Sequence, residues 1–82
     1  MNYKIVIDKP ALKFLQKQPQ RQRERLLKAI NLLPDTGDIK PLVGYTNLYR
    51  LRVGNYRIIY TIKNDLLIVQ VLNAGNRGDI YK

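Results

Sequence analysis

Cysteine and histidine are both absent from this chain of 82 residues. Without cysteine there is no disulfide to staple the fold and no thiolate to act as a nucleophile. Without histidine the commonest general base and the commonest metal ligand are both missing. Carboxylates are sparse. Asp8, Glu24, Asp35, Asp38, Asp65 and Asp79 are the whole set, and they are too scattered to suggest a metal cage. No metal and no cofactor is therefore expected. The opening MNYKIVID is too short and too polar for a signal peptide. No apolar run is long enough to span a membrane. The default expectation is a cytoplasmic protein with no membrane partner.

What the chain has in excess is positive charge. Fifteen Lys and Arg face six acidic residues, a formal net charge of +9. An excess of this size favours polyanions, either nucleic acid or an acidic protein segment. The apolar fraction of 45% is ordinary for a globular chain. The length suits one small domain, residues 1–82, with a modest core to which a partner can add.

The chain reads as strand, two helices, then three strands. Residues 3–7 are short and apolar and suit a strand. Asp8 can cap a helix over 10–17, with Pro10 in its first turn. Ala11, Leu12, Phe14 and Leu15 recur there at helical spacing, and Pro19 breaks the pattern. A second helix is predicted over 20–33, with Leu26, Leu27, Ile30 and Leu33 as its stripe and Pro34 at its end. Residues 35–41 read as a loop. Strands follow at 47–53, 56–62 and 66–72, separated by Gly54-Asn55 and by a turn through Lys63, Asn64 and Asp65. The N-terminal strand is expected beside one of these. The fold class is α+β, a mainly four-stranded antiparallel sheet with an N-terminal helical hairpin on one face.

The segment LYRLRVGNYRIIYTIKNDLLIVQVL organises the rest. A two-residue loop at Gly54-Asn55 sets Val53 opposite Tyr56, Arg52 opposite Arg57, Leu51 opposite Ile58 and Tyr49 opposite Tyr60. Alternation then puts Tyr49, Leu51, Val53, Tyr56, Ile58 and Tyr60 on one face, the natural core face. Arg50, Arg52 and Arg57 share the other. Like charges directly across a sheet are destabilising, so Arg52 against Arg57 is a poor choice for stability alone. Each arginine taken singly suits a solvated face. The cluster suits an anion, because guanidinium donors match phosphate oxygens.

Three pieces carry a resemblance to a known family: ALKFLQK in the first helix, KPLVGYTNLYRLRVGNYRIIYTI in the centre and the closing VLNAGNRGDIY. Together they resemble the RelE/ParE superfamily of toxins over essentially the whole chain, and more closely its RelE-like branch of ribosome-dependent messenger RNA interferases. The resemblance implies cutting of messenger RNA in the ribosomal A site, with the ribose 2′-hydroxyl as nucleophile. The products would be a 2′,3′-cyclic phosphate and a 5′-hydroxyl. It also implies a cognate antitoxin that wraps and blocks the toxin. Operator DNA binding by such a complex, through the antitoxin, is not specified by anything in this chain. Carried over by position, the family's basic strand looks like Tyr49-Arg50-Leu51-Arg52. The arginine after the turn looks like Arg57, the one after the last long strand like Arg77, and the terminal tyrosine like Tyr81. Arg50 and Arg52 stand where some members have lysines, Asn76 where many have histidine, and the segment from Arg77 to Tyr81 is short.

Such cleavage needs a proton acceptor, stabilisation of the phosphorane and help for the leaving oxygen. Arg52 and Arg57 are the expected clamp on the scissile phosphate. Arg77 would ease charge on the leaving oxygen, and Arg50 would join the clamp or hold a neighbouring phosphate. Arginine is a poor base. Tyr81 is left either as a base, its phenol acidified by guanidiniums, or as a platform for a splayed nucleotide base. Packing on the domain edge is its third reading. Asn76 either bonds RNA or holds the turn. Lys13, Lys17, Arg21, Arg23 and Arg25 either meet ribosomal RNA phosphates or line a solvated helix face. Rival readings are a ParE-like inhibitor of DNA gyrase and a non-catalytic member that only binds RNA or antitoxin.

Overall fold

The computed structural model describes residues 3–76. Strand β1 (Lys4–Ile7) leads into α1 (Lys9–Lys17) and α2 (Gln20–Asn31). Four strands follow: β2 (Asp38–Pro41), β3 (Tyr49–Val53), β4 (Tyr56–Lys63) and β5 (Ile68–Asn76). A 3₁₀ turn, Asn64–Leu66, joins β4 to β5. The five strands form one sheet in the order β1-β5-β4-β3-β2. The pairings β2–β3, β3–β4 and β4–β5 are antiparallel, and β1 lies parallel to β5.

The β3–β4 register matches the sequence expectation pair by pair, from Tyr49 opposite Tyr60 to Val53 opposite Tyr56. Gly54 takes φ +58° at the tip, which glycine reaches without steric cost. The tyrosine-lined face is the core face. Leu51, Ile58 and Tyr60 are buried there with Val69, Val71 and Ala74 of β5. Ala11 and Leu15 of α1, Leu26 and Ile30 of α2, and Leu33 close the core from the helix side. Each large aliphatic among them contributes about 1.5–3 kcal/mol by leaving water. Phe14 meets Tyr56 edge-on at 5.9 Å, and Tyr49 stacks on Tyr60 at 5.5 Å.

Three local expectations differ. Residues 38–41 are an edge strand rather than loop, because β3 has a free edge whose backbone groups need partners. Asp8 occupies the α1 N-cap position but its side chain does not cap. Its carboxylate instead accepts two 3.1 Å hydrogen bonds from Gln70 Nε2, tying the start of α1 to β5. β5 starts later and runs further than 66–72, and it is bulged opposite Ile59 and Tyr60. Leu72 is the extra residue of the bulge, since Tyr60 pairs with Val71 and Ile59 with Asn73. Val71 and Ala74 thus both face the core, and Asn73 and Gly75 turn to the opposite face.

Candidate anion-binding site

The face of the sheet turned away from the helices carries two rows of residues across four strands. One row is Asp38, Arg52, Arg57 and Gly75. The next is Lys40, Arg50, Ile59 and Asn73. The register therefore brings Arg50, Arg52 and Arg57 together, as the hairpin pattern predicts. Neighbouring strands lie only about 4.8 Å apart, so these cations are within reach of one phosphate group and its neighbours.

The three guanidiniums are not equivalent. Arg50 and Arg57 are buried, at 9% and 6% exposure. Arg57 Nη1 donates to the Tyr56 carbonyl at 3.2 Å. The Arg52 side chain is about half exposed, at 48%. This makes Arg52 the guanidinium of the cluster most open to a ligand. The face is thus less open than the sequence pattern implies.

Asp38 explains how the like charges coexist. Arg52 Nε donates to Asp38 Oδ2 at 2.6 Å, and Arg50 Nη2 lies 3.6 Å from Oδ1. One carboxylate so offsets two arginines that are neighbours on β3. The hydrogen bond from Arg52 holds the Asp38 carboxyl below the usual carboxylate range; it outweighs the opposing effect of desolvation, and the charges of Arg52, Arg50 and Lys40 add to it. Asp38 and Lys40 escaped sequence reasoning because their segment reads as loop. The signal was present in the alternation Asp38-Ile39-Lys40, which matches the charged pair Arg50 and Arg52 across the strand boundary.

Other expected site residues fall elsewhere. Asn76 is exposed and pairs with Tyr56, so it lies on the helix-bearing side of the sheet, away from the arginines. Lys13, Lys17, Arg21 and Arg25 are exposed on the helices, which cover the opposite face. Arg25 reaches the hairpin tip: a Cβ at Gly54 would stand 2.9 Å from its Nη2. Arg23 is half-buried and Nη1 donates to the carbonyls of Gln18 at 3.4 Å and Gln16 at 3.5 Å, so it closes the end of α1. Arg77 and Tyr81 lie outside the described residues. Tyr49, Tyr56 and Tyr60 are packing residues. Burial pushes the Tyr60 phenol up to about 12, which suits it poorly as a base.

Comparison with known proteins agrees with this architecture. Residues 5–81 match the model of the ParE toxin family of type II toxin–antitoxin systems, parDE. The chain is 39% identical to Toxin RelE3 of Methanocaldococcus jannaschii over 85 aligned positions, covering 95% of this chain and 94% of that protein. It is similar to a chain of the archaeal RelE–RelB complex from Pyrococcus horikoshii OT3, with a TM-score of 0.78, 29% identity and coverage of 96% and 99% of the two chains. A chain of the RelB–RelE antitoxin–toxin complex from Methanococcus jannaschii gives a TM-score of 0.75 and 32% identity, with 93% and 94% covered.

Proposed function

The chain belongs to the RelE/ParE superfamily of type II toxin–antitoxin toxins, on its RelE-like side, and from this we propose that it is a metal-independent endoribonuclease that cuts messenger RNA in the ribosomal A site. The observation that carries the reading is the contiguous set Arg50, Arg52 and Arg57 on one sheet face. In the reaction the ribose O2′ bonds to phosphorus as the P–O5′ bond breaks. The 2′ proton leaves to a base, and the 5′ oxygen takes up a proton. The Nη donors of Arg52 would bind the non-bridging oxygens as charge builds on the phosphorane. Arg57 and Arg50 would add to the positive field, and Arg77 would ease the leaving oxygen. Tyr81 would serve as base or stacking platform. With so few acid–base groups in the cluster, alignment of the messenger by the ribosome would supply much of the rate.

A cognate antitoxin is the natural partner. Relatives of the chain are crystallised as RelE–RelB complexes, and a +9 domain suits an acidic, partly disordered wrapping segment. The family model is that of ParE toxins, which keeps gyrase inhibition as a second reading.

Toeprinting on ribosomes stalled with an empty A site tests the proposal. The wild type should cut within the A-site codon and leave a 5′-hydroxyl. Arg52→Ala should slow cutting about 100-fold, the effect of losing one transition-state donor. Arg77→Ala should slow it as well, and Tyr81→Phe separates base from platform. No cut at any A-site codon, with inhibition of supercoiling in its place, would replace this reading by the gyrase one.

A further inference from the structure

We propose that Asp38 is the positioning residue for Arg52, holding its guanidinium by Nε so that both Nη nitrogens face a bound phosphate. Three observations meet here. The register sets Asp38 directly across from Arg52 at the sheet edge. The 2.6 Å bond engages Nε, and among the described residues neither Nη of Arg52 makes a hydrogen bond. Asp38 and Arg52 are also about equally exposed, at 41% and 48%, so the pair stands at the mouth of the cluster rather than beneath it.

A carboxylate in such a place has two possible effects on an incoming anion. As a competitor it would occupy the Nη donors that a phosphate needs. As a positioner it would use the remaining donor and leave the Nη pair for bidentate binding. The geometry is the second. Arginine has a long, rotamer-rich side chain, and fixing it before the substrate arrives removes an ordering cost from binding and reaction. The same carboxylate lies 3.6 Å from Arg50 Nη2, so it restrains both β3 arginines. Lys40 and Arg57, the cations flanking this pair, keep the cluster positive with Asp38 ionised.

The kinetic part of this inference rests on the interferase reading, so its test has two arms. In the first, Asp38→Ala and Asp38→Asn are compared with wild type in ribosome-dependent cleavage. Asp38→Ala should lower the rate at saturating ribosome roughly 10- to 100-fold, the usual loss when an orienting partner goes. It should not weaken RNA binding, because a negative charge has been removed. Asp38→Asn keeps an oxygen that can accept from Nε and should stay within about threefold of wild type. Asp38→Ala cutting as fast as wild type, or faster, overturns the proposal. So does an equal loss in both variants that tracks a loss of folded protein by circular dichroism.

The second arm needs no ribosome. The Arg52 Nε–H resonance of the full chain is followed by NMR during titration with inorganic phosphate. It should exchange slowly in wild type and in Asp38→Asn and rapidly in Asp38→Ala, at each phosphate concentration. An Arg52 signal indifferent to both variants overturns the inference. Absence of cleavage by the wild type, with the NMR result as expected, would sink only the interferase reading.

Discussion

Tyr60 and Asp38 are opposite cases of one rule, that a side chain titrates where its neighbours let it. Tyr60 is 1% exposed, and burial, with Tyr49 beside it, pushes its phenol up to about 12. Its folded value lies above the ordinary value of about 10, so its contribution to stability is complete below pH 10. That contribution is lost as pH rises through about 12. Phenolate absorbance during alkaline titration should show one tyrosine ionising last, together with unfolding, and Tyr60→Phe should remove that step. Asp38 has the reverse sign. Its folded value is depressed, so the pairing with Arg52 is present above the ordinary value of 3.8 and is lost as pH falls through the lower folded value. Carboxyl NMR should find Asp38 more than half ionised at pH 3.8, and Arg52→Ala should return it toward ordinary behaviour.

At the scale of elements, the β3–β4 hairpin sets the arginine register and depends on its tip. Gly54 sits at φ +58° with Arg25 of α2 packed against it. Gly54→Val should destabilise the fold by about 1–2 kcal/mol, the cost of a left-handed backbone at a residue with a Cβ. Urea denaturation would measure it, and Gly54→Asn should lose much less, since asparagine tolerates that region. Because the hairpin holds the register, on the proposed interferase reading the valine variant should also lose cleavage beyond its loss of folded protein. The β5 bulge does a different task. It places Gly75, which has no side chain, beside Arg57, and keeps Ala74 in the core. A regular ladder through Leu72 would reverse that arrangement.

At the scale of the whole molecule, the basic groups among the described residues occupy both sides of the sheet. Arg52 and its neighbours lie on the open sheet face, and Lys13, Lys17 and Arg21 lie on the helices that cover the other. The shortest extent of the protein is 22 Å, more than twice the Debye length of about 8 Å at physiological salt. Exposed charges across that thickness are therefore screened from one another. On the proposed interferase reading, RNA affinity should fall steeply with salt, roughly a thousandfold between 50 and 200 mM if about six phosphates are neutralised. Removing Lys13 or Lys17 should weaken binding and flatten the logarithmic salt slope by about one per residue, as fluorescence anisotropy would show. On the proposed interferase reading, Arg52→Ala should instead act mainly on the saturated cleavage rate.

Local chemistry in the sequence determined the helices, strands β3 and β4 and the hairpin register, through helical spacing of Leu26 and Ile30, strand alternation from Tyr49 to Tyr60, and a glycine at the turn. It also determined that Arg50, Arg52 and Arg57 share a face, since alternation needs no knowledge of distant residues. Tertiary structure alone decided what surrounds them. Asp38 becomes the arginines' counter-charge only when residues 38–41 pair with β3, a contact that the short alternation Asp38-Ile39-Lys40 does not by itself specify. Asn76 leaves the site and Gly75 enters it because of a bulge set by β4 pairing. Long-range pairing is chosen by the edges and backbone groups that the rest of the fold leaves unpaired, and no local pattern records that choice.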